Sequence, residues 1–257
     1  MGQDSISIYP DWNVSSKIVA STSTRGGGIS TSPYDSLNFA EHVGDNDLNV
    51  KKNIELYTAQ FNSALRWQWL NQIHGVETKE VTQVSKPINA DGLLTREAGL
   101  VCCVLTADCL PVFFAAQDGS EIAIAHAGWR GLAAGILKNT LDKFSVPVEE
   151  VSVWLGPAIG FCHFEVGTEV KELFVSQADS MAEKMEIQQC FSAVKNSQKH
   201  MADLAAIAKL KLANLGLHQV SGGSHCTYCN SRDFYSFRRD GTTGRMLNII
   251  YIDPDSS

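Results

Sequence analysis

The chain has no surplus of positive charge, no long apolar run, no paired-cysteine framework and no His-x-His pair. Each absence excludes something. In 257 residues there are 21 Lys and Arg against 28 Asp and Glu, a net charge of −7. Without the positive field that gathers a polyanion, nucleic acid is not an expected partner. The longest apolar stretches, Gly99–Leu105 and Leu110–Ala116, are separated by Asp108, and neither approaches the roughly 20 residues that span a bilayer. No membrane association is expected. Met1–Asn13 holds no basic segment followed by an apolar run, so no signal peptide is expected either. The seven cysteines (102, 103, 109, 162, 190, 226 and 229) are odd in number and two are adjacent. Reduced thiols in a cytoplasm suit that pattern better than a set of disulfides. Seven histidines with no His-x-His are too few and too scattered for a multicopper cluster.

What is present is a well-furnished core. At 44% hydrophobic content the chain is long enough for one large domain or two intimate subdomains. There is no repeat and no low-complexity segment. Short strand-like runs alternate with helical ones. Strands are expected at Ser16–Thr22, Trp67–Leu70, Thr78–Val81, Leu100–Thr106, Leu110–Ala115, Glu121–Ala125, Val151–Leu155 and Met246–Ile252. Helices are expected at Asn49–Phe61 with Asn49 as N-cap, Gly131–Phe144, Val166–Gln177 and Met201–Leu215, the last stopped by Gly216. Met181–His200 is polar and poorly periodic and reads as an irregular insertion. The pattern predicts an α+β protein with mixed sheets packed against helices.

The chemistry gathers at His74, Cys109 and His126. Each follows a strand-like run and is flanked by small or turn-forming residues, where a rigid scaffold presents functional groups. Two imidazoles and a thiolate form a ligand set for zinc or copper. With three protein donors the fourth tetrahedral position stays open, as in a catalytic zinc site, and water bound there becomes a nucleophile near neutral pH. The same residues also make a Cys–His nucleophile pair. Spacing does not separate the two. Asp108 reads either as a second acceptor that orients a ligating histidine or as a turn residue. Asp91 reads as a turn residue.

Arginines supply places for an anion. Arg25 precedes three glycines, whose backbone N–H groups with a guanidinium make an anion cradle. Arg130 lies near a helix start, where phosphate binds readily. Arg238, Arg239 and Arg245 fall within eight positions among aromatics and suggest a site edge. Cys226-Thr227-Tyr228-Cys229 is a Cys-x-x-Cys without a second pair, and it reads as ordinary thiols near the site wall. Cys162 and His163 suggest a second metal site but lack a partner at helical spacing.

Several strings in fixed order resemble the YfiH, or laccase-domain-containing, family, also called the multicopper polyphenol oxidase or peptidoglycan editing factor family. They are Thr24-Arg25-Gly26-Gly27, His42-Val43-Gly44-Asp45, Gln72-Ile73-His74-Gly75, Ala90-Asp91-Gly92-Leu93-Leu94-Thr95, Thr106-Ala107-Asp108-Cys109-Leu110-Pro111-Val112, His126-Ala127-Gly128-Trp129-Arg130-Gly131, Trp154-Leu155-Gly156-Pro157-Ala158-Ile159-Gly160 and Tyr235-Ser236-Phe237-Arg238-Arg239-Asp240. The resemblance runs from Ile18 to Ile252. Phe161 and Ile29 depart from the family's usual Pro and Val.

The resemblance implies a single domain over 1–257, with a fold like that of a bacterial cysteine-hydrolase toxin. It implies a metal, usually zinc, on His74, Cys109 and His126, with copper the other candidate. It also implies phosphorolysis of adenosine, inosine and methylthioadenosine together with adenosine deamination. Small-molecule purine nucleoside and phosphate are then the partners, with phosphate falling to Arg25, Arg130 and Arg238, and the chain is expected to act as a monomer. Two other chemistries stay open. One is a Cys–His hydrolase that edits wrong amino acids out of peptidoglycan precursors; the other is a copper-dependent polyphenol oxidase.

Overall fold

The computed structural model describes residues 6–178 and 180–256. The first five residues, part of the stretch in which no signal peptide was expected, lie outside that range. Two twisted sheets lie face to face, with helices on both outer surfaces. One sheet has five strands in the order Ser7–Ile8, Ile18–Ser23, Met246–Ile252, Leu100–Thr106, Arg66–Gln68. The other has six in the order Val220–Gly222, Val151–Leu155, Leu110–Ala116, Ile122–Ala127, Gly92–Thr95, Thr78–Glu80. Both mix parallel and antiparallel pairs. A three-stranded sheet and a two-stranded pair, Leu70–Asn71 with Ile88–Asn89, complete an α+β architecture.

Strand alternation assigns each face. From Leu100–Thr106, Leu100, Cys102 and Val104 point between the sheets and meet Phe113, Ala115, Ile122 and Ile124. Val101 and Cys103 point outward with Leu247 and Ile249, against Tyr57 of the helix Asp47–Thr58. Cys102 and Cys103 are therefore fully buried on opposite faces of one strand, and both are free. On the far side of the six-stranded sheet, Val112, Phe114, Ala123 and Ala125 pack against Leu132, Ile136, Leu137, Ile207 and Leu212.

Several elements differ from the sequence expectation for local reasons. The helix Asp47–Thr58 starts earlier than foreseen because Asn46, not Asn49, is its cap and accepts from the Leu48 N–H at 2.8 Å. The single helix foreseen over Gly131–Phe144 is two, Trp129–Ala134 and Ile136–Leu141. Gly135 breaks it at φ 102°, a left-handed conformation that suits glycine. Met201 and Ala202 belong to the strand His200–Ala202, and the helix Leu204–Asn214 begins at Asp203, which caps Ala206. The foreseen helix Val166–Gln177 likewise starts only at Thr168, because Glu165–Val166 pairs with His200–Ala202. The polar stretch read as irregular holds a helix, Met181–Gln189, capped by Ser180, and a strand, Phe191–Ala193, that pairs with His200–Ala202. Its regularity comes from a cap and from strand pairing rather than from an apolar stripe. Among the described residues no helix is long and apolar enough to cross a membrane.

This layout sets up the site. The segment Ala107-Asp108-Cys109 is the step by which the chain leaves the five-stranded sheet and enters the six-stranded one. The end of Ile122–Ala127 lies beside it, with His126 opposite Pro111.

Candidate active site

His74, Cys109 and His126 converge, and their ligand atoms all lie within 4.8 Å of one another. His74 sits in the loop after Leu70–Asn71 at φ 57°. That loop is clamped to the five-stranded sheet by Gln72, whose carboxamide accepts from the Leu105 N–H at 2.8 Å and donates to its carbonyl at 2.9 Å. Cys109 follows Asp108, which turns the chain at φ 91°. His126 is the penultimate residue of its strand, inside it rather than just after it as foreseen, and is 3% exposed. The two imidazoles meet edge to face, with centroids 4.8 Å apart.

Asp91, read from sequence as a turn residue, is the hub of this arrangement. Its Oδ1 lies 2.8 Å from His126 Nδ1, which leaves Nε2 for the centre of the site. The same carboxylate accepts from the backbone N–H groups of Ile73, His74 and Gly75 at 3.3, 3.0 and 2.6 Å. Its carbonyl accepts from the His126 N–H at 2.7 Å. One buried carboxylate thus fixes the ring of one histidine and the backbone of the other, as outer-shell acceptors do at metal sites. Asp108 has a different job. Its Oδ1 accepts from Thr227 Oγ1 and its Oδ2 from the Arg238 N–H, both at 2.6 Å, so it anchors the turn and orients neither histidine.

The electrostatics follow from this crowding. Burial raises the Cys109 thiol, but His126 and then His74 outweigh it and bring the thiol down to about 6. Burial lowers His126, but the Cys109 thiolate and the Asp91 hydrogen bond carry it up to about 9. Asp91 is held below its ordinary value despite burial, by His126 and by the Gly75 N–H. Without a metal the pair is a thiolate beside an imidazolium; a divalent cation at the centre takes the place of that shared proton.

Room for such a cation is visible at Gly128. A Cβ there would lie 3.2 Å from both Cys109 Sγ and His74 Cδ2 and 3.7 Å from His126 Cε1. Glycine keeps this space open between the three donors. The donor set, one soft thiolate and two borderline imidazoles, fits zinc and also copper.

The donors line a cavity of about 370 Å³, within the roughly 300–1,000 Å³ range of small-molecule sites. His42, Asn71, Gln72, Thr106, Phe237 and Arg245 share the lining. The three arginines expected to hold an anion do not. Arg25 donates to the Asp35 and Ser231 carbonyls, pairs with the Asp35 carboxylate at 3.2 Å and lies over the Tyr235 ring. Arg238 donates to the His163 and Glu165 carbonyls at 3.3 and 2.8 Å. Arg130 is exposed and stacks on Trp129. Arg25 is occupied in joining loops, Arg238 uses only Nη1 of its guanidinium and lies outside the cavity lining, and Arg130 faces solvent. The arginine in the cavity is Arg245. Its Nη1 donates to the Thr243 and Gly244 carbonyls at 2.9 Å, while Nε and Nη2 have no hydrogen-bond partner among the described residues. It belongs to the arginine cluster noted in the sequence, but its spacing carried no hint that it alone faces inward. His42, also unforeseen, is held below its ordinary value by burial and by Arg245.

An α+β fold built on two large sheets, with a Cys/His₂ group that could hold a metal facing a small-molecule cavity, is the scaffold of an enzyme. More particularly, the chain belongs to the family described as multi-copper polyphenol oxidoreductase laccase, whose model matches residues 19–253. A purine nucleoside phosphorylase of Escherichia coli, YfiH, is 43% identical over 95% of this chain and 98% of its own length. The purine nucleoside phosphorylase YlmD of Geobacillus stearothermophilus is 33% identical over 90% of this chain and 89% of its own. The crystal structure of Neisseria meningitidis protein NMB0706 superposes with a TM-score of 0.90 at 39% identity, covering 97% of this chain and all of the other.

Proposed function

We propose that this chain is a metal-dependent purine nucleoside phosphorylase that also deaminates adenosine, with His74, Cys109 and His126 as metal ligands. The observation that carries the reading is one cavity faced by an open three-donor set and by a guanidinium with unengaged N–H groups. The substrate class comes from relatives that match almost end to end and are named purine nucleoside phosphorylase. Zinc suits the donors best, and when bound it supplies Lewis acidity and brings water at the open position toward neutral pKa.

In phosphorolysis a phosphate oxygen bonds to the anomeric carbon as the bond from that carbon to the base nitrogen breaks. The base leaves with the electron pair and takes up a proton. Arg245 holds the phosphate through charge-assisted hydrogen bonds from Nε and Nη2. Phe237, 58% exposed beside the cavity, offers a ring face to the purine. His42, held below its ordinary value by burial and Arg245, also lines the cavity and is a candidate proton acceptor there. Arg25, Arg130 and Arg238, the arginines first expected to hold phosphate, do not line this cavity, which favours Arg245 for that role.

The test is mass spectrometry of adenosine incubated with metal-loaded protein, with and without phosphate. Adenine and ribose 1-phosphate are expected only with phosphate, and inosine in either case. Metal-loaded protein that yields neither free base nor inosine overturns the reading.

A second reading rests on the Cys109–His126 pair, because a thiolate titrating at about 6 beside an imidazolium is also what a cysteine hydrolase uses. That reading assigns hydrolysis of a wrong amino acid from a peptidoglycan precursor to the metal-free protein. Full amidase activity in Cys109→Ser rules it out. Oxygen uptake on a phenol by the copper-loaded protein would instead favour oxidase chemistry.

A further inference from the structure

A second cluster lies outside the cavity. The turn Gly160–His163 and the turn Cys226–Cys229 are far apart in sequence, yet they bring together Cys162, His163, Cys226 and Cys229, with all four ligand atoms within 4.8 Å of one another. Cys162 Sγ lies 3.8 Å from Cys226 Sγ and 3.3 Å from Cys229 Sγ. His163 Nδ1 lies 3.1 Å from Cys162 Sγ and 3.3 Å from Cys229 Sγ. We propose that these four residues form a second metal site, a closed Cys₃His centre for a soft divalent cation such as zinc.

Four observations support it. The first is the donor set. Three thiols and one imidazole make a structural zinc shell, with the Cys-x-x-Cys spacing such shells use. The second is size. Zinc–sulfur bonds of about 2.3 Å in a tetrahedron put neighbouring sulfurs about 3.8 Å apart, so shifts of a few tenths of an ångström would seat the ion. The third is the surrounding backbone. The Gly160 and Cys229 N–H groups donate to Cys226 Sγ at 3.2 and 3.5 Å, which stabilises a thiolate. The His163 ring is fixed by stacking on Tyr228 at 3.9 Å and 14°. The fourth is glycine. A Cβ on Gly160 would lie 3.1 Å from Cys226 Sγ and 3.6 Å from Cys162 Sγ, so glycine here lets the turn approach both sulfurs.

Because all four positions are protein donors, this centre has no place for substrate. Its reach is mechanical. Thr227, inside the Cys-x-x-Cys turn, is the residue whose hydroxyl holds Asp108, and Asp108 turns the chain into Cys109. The Thr227 and Tyr228 carbonyls are also held by Arg239. An ion in the second site would brace the loop on which the first site leans.

The test is elemental analysis of the full chain. The wild type is expected to hold about two zinc ions, and both Cys226→Ser/Cys229→Ser and His74→Ala/Cys109→Ser about one each. A wild type with about one zinc, unchanged in Cys226→Ser/Cys229→Ser, overturns the proposal. So does an intact mass lighter by one pair of hydrogens, the sign of a Cys162–Cys229 disulfide. If the Cys226→Ser/Cys229→Ser variant does not fold, cobalt(II) titration of metal-stripped His74→Ala/Cys109→Ser protein decides. One equivalent with an intense thiolate-to-cobalt band supports the site, and its absence overturns it. Neither result depends on whether the other centre splits nucleosides.

Discussion

The two Cys/His clusters of this protein are built from similar donors and differ in nearly everything else. The trio His74, Cys109 and His126 lies along a cavity at the step between two sheets and offers three donors, which would leave a tetrahedral ion one open position. The quartet Cys162, His163, Cys226 and Cys229 joins two turns at the surface and leaves no position over. In the trio a buried carboxylate, Asp91, orients the ligands. In the quartet backbone N–H groups and a stacked tyrosine do so. The difference teaches that donor identity alone does not separate a reactive centre from a brace. The count of donors, and what faces the open side, does.

The sharpest way to test that contrast is to remove one sulfur from each. Cys109→Ser should lower kcat/KM for phosphorolysis by about a thousandfold or more, roughly 4 kcal/mol of transition-state stabilisation. Cys229→Ser should change it by no more than a few-fold and lower the melting temperature instead. Equal losses of activity in both would erase the distinction. Next in size is Asp91→Asn, which keeps the shape but weakens the acceptor. Affinity of the trio for zinc should fall about 10–100-fold, read by competition with a chelator, while the quartet keeps its ion. Arg245→Ala should raise KM for phosphate by about tenfold with a smaller change in KM for nucleoside, consistent with loss of one charge-assisted contact. A variant with unchanged phosphate dependence would move the anion elsewhere.

The smallest effect concerns pH. In metal-stripped protein Cys109 titrates at about 6, so its thiolate fraction grows as pH rises through about 6 and is nearly complete by 7.5. Cys229 is pushed up to about 12 by Cys162 and Cys226, so it stays protonated in the same range. Peptide-resolved alkylation should show Cys109 reacting with a midpoint near 6, and Cys229 slow throughout; zinc should protect both. The opposed shifts of Cys109 and His126, down to about 6 and up to about 9, leave the proton count of the pair close to that of the unfolded chain. Stability of the stripped protein should therefore change little across this window on their account.

Much of the scaffold was legible in the sequence because strands announce themselves locally. Val151–Leu155 and Met246–Ile252 match residue for residue, and the strands that follow Cys109 and contain His126 lie within a residue or two of expectation. The trio itself stood out because each member ends a strand-like run. What was hidden depended on long-range geometry. Asp91 looks like any Asp-Gly turn until the chain folds His126 onto it from 35 residues away. The four members of the quartet were all noticed, but His163 and Cys226 are 63 positions apart, so no spacing rule joined them. The placing of the arginines was hidden for a related reason. A guanidinium has five N–H groups, and only the folded chain reveals whether other groups have already taken them, as at Arg25, or whether it faces the cavity, as at Arg245.

The carboxylate of Asp91 has one more consequence. It holds the His74 loop and the His126 ring through contacts that need no ion, and Gly128 keeps the space between them open. The entropy of assembling the trio is thus spent when the chain folds, not when an ion arrives. Loading and unloading then involve little rearrangement of the backbone. On the proposed metal reading, such a centre would exchange its ion while the protein stays folded.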